Sequence, residues 1–567
     1  NISGKNTGGV YVHNESTFEN NGVISNEGSH GVKASGSNTK AINEVSGVIS
    51  NTGNFGTAAE DGAYVENNGS ISNKGNIGTY ATGNSTAINN GSISNTGDYG
   101  MKAENDSYIE NSSTGTISNN GDYGMSIDSA SNGKNDGVVS NDGDFGISTQ
   151  ANFTNNGIVQ NNGDFGIEAD GNINIENNGI VKNTGNKGII AENGALITNN
   201  GTIANDKEVG IYSNGTNTKV KNSGTGAISN NSNYGIYAEN GSNVENEGSI
   251  SNNGDFGIYT SGNDTKAINK GNISNIGRYG MKAENDSYIE NSSTGIISNN
   301  GDYGMSIDSS SNGKNDGIVN NDGDYGVFTQ SNFINDGEIK NSGDFGLNAL
   351  GNITVVNNGI IENEKNYGMS ADNNSYIENS LSGMISNGGN YGMSISSGSK
   401  GLNNGLIQNS GDFGVYSNSE FTNNGTIQNK GVNGIFADNG AIVVNNGIIN
   451  NNNNLGINAT NGTVTNSSTG IIANKGEYGI YAANSSHINN YGNISNDGNF
   501  GVYADENGTI AINTGIISNT GNYGMYIETG AQGVNNGTIE NNNNFGVYSQ
   551  SEFTNNGTVQ NNGAHGI

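Results

Sequence analysis

Side chains that ordinarily carry catalysis or bind metals are few in this sequence and lie far apart. The four histidines, His13, His30, His487 and His565, share no neighbourhood, Arg278 is the single arginine, and cysteine is absent. No serine lies in a nucleophile-elbow motif, no His/Glu cluster has metal-ligand spacing, and no loop has the phosphate-binding pattern. We therefore predict no enzyme activity, no cofactor, no disulfide and no thiolate metal site, and we interpret the histidines as solvated.

One acidic position recurs and is the best candidate for an ion site. It lies two residues before a glycine that returns every 20 to 25 residues, and in four successive cases it is Asp98, Asp122, Asp144 and Asp164. Carboxylates stacked about 5 Å apart repel one another, and a bound Ca²⁺ would relieve that repulsion. However, asparagine often replaces the aspartate, and the spacing differs from that of the nonapeptide Ca²⁺ repeat. We favour a solvated turn, with weak cation binding as the alternative.

Recurring tyrosines are the third candidate, because we expect them to face solvent by strand alternation. One set lies two residues after the recurring glycine, and the other precedes the apolar residue of a second predicted strand. The first set includes Tyr237, Tyr259, Tyr481 and Tyr503, and the second includes Tyr108, Tyr288 and Tyr376. Exposed tyrosines suit protein or glycan recognition because the ring offers contact area at a low entropy cost. The alternative is that tyrosine simply favours strands and stacks on its neighbours.

The element that must position these residues is a repeat that runs from end to end. Twenty-six glycines, from Gly9 to Gly566, are separated by 20 to 25 residues, most often 22, and each has Ile or Val seven positions earlier. Asparagine lies five positions before the glycine in every case except one, where Gly4 takes its place. Such self-similarity at a fixed period is the signature of a solenoid.

Each repeat predicts three short strands joined by turns. The first opens with the glycine, the second is centred on one apolar residue, and the third is the Ile-x-Asn segment. We expect the Asn-Gly and Asn-Asn-Gly segments between strands to adopt the positive φ of tight turns. The spacing at the exit of the third strand is constant, so length variation is confined to the turns around the second strand. The asparagines should form a hydrogen-bonded ladder, and the aromatic residue before each glycine should point inward as a stacked column.

The predicted fold is all-β, a right-handed single-stranded parallel β-helix (β-solenoid) of about 26 coils of about 22 residues. Stacking at about 4.8 Å turns each repeated position into a continuous ladder, which predicts a monomeric rod of roughly 120 Å. We expect one continuous domain over residues 1–567, cut from a longer array because the pattern is interrupted at Ile567. Near-identical segments, such as 101–115 and 281–295, indicate duplication of blocks of coils.

The composition limits the classes of partner that this chain is expected to bind. The formal net charge is −32, with 53 acidic against 21 basic residues, so we predict no nucleic-acid partner. No apolar run reaches the roughly 18 residues of a membrane helix, so we predict that this segment does not span a membrane. Only 31% of residues are hydrophobic, which is typical of disorder, but proline is absent, as expected where nearly every stretch donates to a ladder.

The coils NNGSISNTGDYGM (89–101) and NNGTIQNKGVNGIF (423–436) resemble those of a known family. They are similar to the passenger domains of large type V (classical) autotransporter adhesins, most of all the fusobacterial outer-membrane adhesins such as the arginine-inhibitable adhesin. The resemblance implies display on the bacterial cell surface, outside the outer membrane, and binding to a surface protein or glycan of another bacterium or a host cell. It transfers no site residue. The alternatives are a structural stalk that displays a tip elsewhere and, more remotely, a polysaccharide lyase or hydrolase.

Overall fold

A computed structural model describes residues 1–5 and 7–567, and over these residues the chain is all-β with no helix. The chain divides into two compact units, Asn1–Tyr288 and Ile289–Ile567. Each unit is a parallel β-solenoid with three strands per turn, and the two units together have about 25 turns of about 22 residues. The predicted fold class is confirmed, whereas the predicted continuity of one domain across residues 1–567 stays a prediction.

The first unit repeats one turn throughout its length. A representative turn consists of a first strand Tyr99–Glu104, a second strand Tyr108–Asn111 and a third strand Thr116–Asn119. Each strand pairs in parallel with the equivalent strand of the next turn; for example, Ile93 lies opposite Ile117. The residues that the sequence repeat aligns are therefore the residues that the sheets align.

The second unit has the same turn, here Tyr478–Ala483, His487–Asn490 and Asn493–Asn496. Two sheets of this unit position the surfaces discussed below. The relevant first strands are Tyr478–Ala483, Phe500–Ala504, Tyr523–Ile527 and Phe545–Ser549. The relevant third strands are Met384–Asn387, Leu406–Asn409, Thr426–Asn429, Ile448–Asn451, Ile471–Asn474 and Asn493–Asn496.

The recurring glycine lies inside the first strand and is required by close packing. A Cβ at Gly100 would lie 2.5 Å from the carbonyl oxygen of Gly124 in the next turn and 2.5 Å from Cγ2 of Ile117. No side chain fits at that distance. The first strand also begins one residue before this glycine, at Tyr99, so the expectation that the glycine opens the strand is wrong.

This glycine also breaks the alternation of the first strand. Gly100 and Met101 are both buried, although they are consecutive, and Tyr99 is only half-buried. The Nζ of the outward Lys102 lies 4.4 Å from the centre of the Tyr99 ring. The expected stacked aromatic column is present, since the Tyr99 and Tyr123 rings stack with centres 4.8 Å apart. Its expected inward direction is wrong, because two consecutive inward positions shift the preceding residue to the outer surface. The same half-buried state holds for Phe55, Tyr123, Phe145, Phe165 and Tyr234.

The predicted asparagine ladder is present in both units. In the first unit Asn95 Nδ2 donates to Asn119 Oδ1 at 2.9 Å and to the main-chain oxygen of Tyr99 at 2.9 Å. In the second unit Asn451 donates to Asn474 at 2.9 Å in the same way. The ladder is buried, so each amide replaces the water it loses with protein partners.

A second asparagine ladder runs along the ends of the second strands. Asn111 Nδ2 donates to Asn135 Oδ1 at 2.9 Å in the first unit, and Asn423 donates to Asn445 at 2.8 Å in the second. Asn423 and Asn445 each begin an Asn-Asn-Gly segment, a type that we assigned to positive-φ turns. That assignment is wrong, because every positive φ over residues 1–5 and 7–567 lies between a first and a second strand. The glycine of the segment is again a close approach: a Cβ at Gly91 would overlap the carbonyl oxygen of Gly69.

Candidate binding surfaces

Four tyrosines of the second unit form a column on the outer side of its first strands. Strand pairing places Tyr481 opposite Tyr503, Tyr503 opposite Tyr526, and Tyr526 opposite Tyr548. The successive ring centres are 5.5, 4.9 and 4.9 Å apart, and the rings stack. All four side chains are half-buried. The register of one repeated position thus builds a continuous strip of rings.

A second aromatic column lies beside the first. Tyr478, Phe500, Tyr523 and Phe545, each the residue before the recurring glycine, stack with centre-to-centre distances of 4.9, 5.1 and 5.5 Å. The two columns meet edge to face, as where the Tyr523 and Tyr526 rings lie 5.0 Å apart at 87°. We name these eight rings the aromatic face. Offset and edge-to-face pairs of this kind add to the burial energy of the rings.

Carboxylates of the next turn accept hydrogen bonds from two hydroxyls of the aromatic face. Tyr503 Oη donates to Glu528 Oε2 at 2.8 Å, and Tyr481 Oη donates to Asp505 Oδ2 at 3.2 Å. Burial, and after it the negative charge and hydrogen bond of Asp505, raise the pKa of Tyr481 to about 12. Burial and then the hydrogen bond to Glu528 raise the pKa of Tyr503 as well. The phenols therefore stay protonated at neutral pH, and the ring edges and faces are what a partner would meet.

The predicted sites Tyr237 and Tyr259 form a shorter version in the first unit. Their rings lie 5.0 Å apart, and Tyr234 packs against both. Tyr237 donates to Glu239 at 2.6 Å, and Tyr259 donates to Glu284 at 2.6 Å. Burial, and next these hydrogen bonds, raise the pKa of both phenols. We expected Tyr237, Tyr259, Tyr481 and Tyr503 to be exposed; all four are half-buried because the rings cover one another.

The tyrosines of the second strands are not part of these columns. Tyr108, Tyr288 and Tyr376 are half-buried on the outer side of their sheets. Tyr108 donates to Glu110 at 2.9 Å, and Tyr376 donates to Glu378 at 3.3 Å. The Nζ of Lys266 lies 4.7 Å from the centre of the Tyr288 ring. Each of these tyrosines makes its own contact with one neighbouring side chain, namely Glu110, Lys266 or Glu378.

The recurring acidic position, two residues before the glycine, lies in the turns that join third to first strands. Asp98, Asp122 and Asp144 are exposed, and Asp164 is half-buried and accepts a hydrogen bond from Asn186 at 2.8 Å. Within residues 1–5 and 7–567 no group of three or more acidic, histidine or cysteine side chains has a geometry that could hold a metal ion. The geometry adds nothing to the hypothesis of a cation at these positions.

Two of the four histidines lie near each other. The ring centres of His13 and His30 are 5.2 and 6.5 Å from that of Tyr11, so the expectation that no two histidines share a neighbourhood is wrong. His30 is half-buried beside Ser29, and burial, followed by the charge of Lys33, lowers its pKa. His487 lies exposed on a strand, and His565 stacks on Phe545 at 4.8 Å.

A long polar groove, which we did not predict, follows the outer side of the third strands in the second unit. Its C-terminal part, lined by residues between 386 and 497, has a volume of about 540 Å³, and its N-terminal part, lined by residues between 320 and 388, has a volume of about 550 Å³; the two parts share Ser386. The groove is lined by the residue after the buried isoleucine or valine and by residues of the following turn. The C-terminal part includes Gln408, Gln428, Lys430, Asn450, Asn452 and Lys475. The sequence signal was weak because the residue type at these positions changes from turn to turn.

No protein-family model, curated protein or solved structure matches this chain. Over the described parts of both units, no helix has the length and apolar character needed to cross a membrane.

Proposed function

We propose that this chain is the passenger of a bacterial cell-surface adhesin, which binds a surface protein or glycan of another bacterium or of a host cell. The observation that carries this proposal is the aromatic face, Tyr478 to Tyr548, in which one strand register places eight rings side by side. Large, pre-packed aromatic surfaces are favoured at protein interfaces because little side-chain freedom is lost on binding. The repeat resemblance supports the same class of function.

Repetition favours adhesion by many weak contacts. Neighbouring turns present the same kind of ring at the same position, so a partner that engages one turn finds the next already oriented. Such multivalent contact strengthens binding without a deep pocket. Glu528 and Asp505, which accept the tyrosine hydroxyls, place negative charge at the edge of the face.

The experiment measures capture of cells by the purified, labelled chain on a panel of bacterial and host surfaces. The variant Tyr481→Ser/Tyr503→Ser/Tyr526→Ser should lose most of the capture. A matched variant, Tyr64→Ser/Tyr108→Ser/Tyr376→Ser, removes three tyrosines from second strands and should retain it. Equal capture by both variants and the unsubstituted chain, all with unchanged melting, would refute binding through the aromatic face.

A stalk that displays a binding tip is the second candidate, and one observation favours it. The segments 101–115 and 281–295 are nearly identical in sequence and have the same strand bounds relative to their glycines. A spacer needs added length and no unique surface.

Deletion of whole turns separates the two candidates. Removing 478–544 joins Glu477 to Phe545 in register and takes away most of the aromatic face, while Lys430 and Lys475 stay in place. Removing 145–208 joins Asp144 to Val209 and is the matched control, because its first strands have Ser148, Glu168 and Ile190 at the outward tyrosine position. Loss of capture only in the first deletion supports adhesion through the face. Unchanged capture in both supports a stalk.

A further inference from the structure

The floor of the C-terminal part of the polar groove begins with a row of uncharged hydrogen-bonding side chains. Strand pairing aligns Ser386, Gln408, Gln428 and Asn450 in successive turns, and Ala473 takes the same position in the next turn. Gln408 Nε2 donates to Gln428 Oε1 at 3.0 Å, and both amides are exposed. Each amide offers two donors and an acceptor, so most of this capacity remains for a ligand.

Two lysines form one wall of the groove. Lys430 and Lys475 occupy the same turn position two turns apart, with Asn452 between them, and all three are exposed. At about 4.8 Å per turn, the two side chains originate roughly 10 Å apart. Over the described part of the second unit, no carboxylate lies within 4.0 Å of either ammonium group, unlike Lys314, Lys340 and Lys400, which are paired.

The charge of this stretch is opposite to that of the whole chain. The residues lining the C-terminal part include Lys430 and Lys475 and a single carboxylate, Asp497, so their formal charge is +1, whereas the N-terminal part is lined by Asp322, Glu362, Glu364 and Lys340 and carries −2. The chain carries −32. Since the Debye length at physiological ionic strength is about 8 Å, a ligand in the groove senses mainly the nearby lysines.

We propose that the C-terminal part of this groove binds a linear glycan that carries carboxylates, laid along the stack of turns. The amide floor supplies paired donors and acceptors for sugar hydroxyls, and the two lysines supply partners for carboxylates.

This inference rests on the proposed adhesin function and names the ligand of a second surface. It is independent of the aromatic face, since none of the eight rings lines the groove. The groove would recognise an acidic polysaccharide coat, whereas the aromatic face would bind other partners.

The test is calorimetric titration of the full chain with polygalacturonate oligosaccharides and with their methyl esters, which keep the sugar and remove the charge. The acid form should bind, and the ester should bind about tenfold or more weakly. The variant Lys430→Gln/Lys475→Gln should weaken acid binding by about tenfold or more. The control variant Lys74→Gln/Lys182→Gln changes the same net charge at two exposed positions of the first unit and should change binding less than about twofold.

Different outcomes would contradict different parts of this proposal. Equal affinity for acid and ester would overturn the role of the carboxylates, and equal weakening by the two lysine pairs would overturn the location. Cell capture is measured with the same proteins: a chain that captures cells but binds no acidic oligosaccharide refutes the groove alone. A chain that does neither refutes the adhesin proposal too. Binding of single-stranded DNA in place of the oligosaccharide would identify a different ligand class and also refute this inference.

Discussion

At the scale of single residues, the recurring glycine is explained by distance rather than by backbone conformation. At Gly257 a Cβ would lie 2.5 Å from the oxygen of Gly280 and 2.5 Å from Cγ2 of Ile273. We expect Gly257→Ala to lower the free energy of unfolding by about 1–3 kcal/mol, since the strands must separate to admit a methyl group. Gly224→Ala is the control, because nothing lies within 4 Å of its Cβ position. Equal melting temperatures for the two variants would contradict this explanation.

We expect the buried asparagines of the ladder to stabilise the fold more than their exposed neighbours do. Asn252 Nδ2 donates to Asn275 Oδ1 at 2.9 Å, and Asn252 Oδ1 accepts from Asn230 at 3.1 Å. Asn252→Ala leaves buried partners unsatisfied and should cost about 2–4 kcal/mol. Asn253→Ala removes an exposed amide that donates to Asn231, and it should cost about 0.5 kcal/mol or less. Urea unfolding followed by circular dichroism compares the two; similar midpoints would show that the ladder adds little.

At the scale of strands, the inward residues on the first and second strands of one turn have complementary sizes, and together they fill the core. Gly401 takes the inward position of its second strand, and a Cβ there would lie 2.7 Å from Cγ1 of Ile395 on the first strand. In the preceding turn the two positions are held by Ala371 and Ile377. A large residue on one strand therefore accompanies a small one on the other.

This pairing predicts a non-additive double variant. Ile395→Ala should cost about 2–5 kcal/mol through a cavity, and Gly401→Val should cost about 1–3 kcal/mol through overlap. The combination Ile395→Ala/Gly401→Val restores the volume and should cost clearly less than the sum. Thermal unfolding of the four proteins gives the coupling. Additive losses would mean that the two strands do not share this space.

The tyrosine columns predict how stability depends on alkaline pH. Burial and nearby carboxylates raise the pKa of Tyr481 and Tyr526 to about 12, above the value of about 10 in an unfolded chain. A raised pKa means that the folded state holds the proton longer, so stability is complete below about pH 10 and falls between about pH 10 and 12. Phenolate absorbance and melting curves measure this loss. Tyr481→Phe/Tyr526→Phe should reduce the dependence, while tyrosines such as Tyr503, whose pKa is also raised, retain the remainder. An unchanged dependence would show that Tyr481 and Tyr526 do not contribute to it.

These cases also show what could be predicted from sequence. The period, the three strands and the ladder through Asn95 and Asn119 follow from a repeat of residue types, and residue types are what a sequence contains. The outward position of Tyr99 could not be predicted by alternation, because the close approach at Gly100 places two inward residues in succession. The groove was missed for the opposite reason: Gln408, Asn450 and Ala473 share a place on the backbone but no side-chain type.

At the scale of the whole molecule, net charge governs long-range attraction. With −32 formal charges, the chain should attract cationic surfaces, and salt should screen that attraction. We expect the rate of cell capture to fall steeply as ionic strength rises through 0.15 M, whereas the Tyr481→Ser/Tyr503→Ser/Tyr526→Ser variant should mainly release cells faster. Flow-cell capture separates the two rates. Capture unaffected by salt and by free cationic amino acids would contradict the electrostatic contribution.

The two asparagine ladders bear on how the fold responds to tension. Within the second unit, one turn is joined to the next through three parallel strand pairs and one amide link in each ladder. Tension would therefore detach turns in sequence, each freeing about 22 residues, or roughly 70–80 Å of extended chain. Because the turns detach one at a time, the chain would lengthen in steps under a sudden load while the remaining turns stay folded. The fold would therefore dissipate mechanical energy without unfolding as a whole.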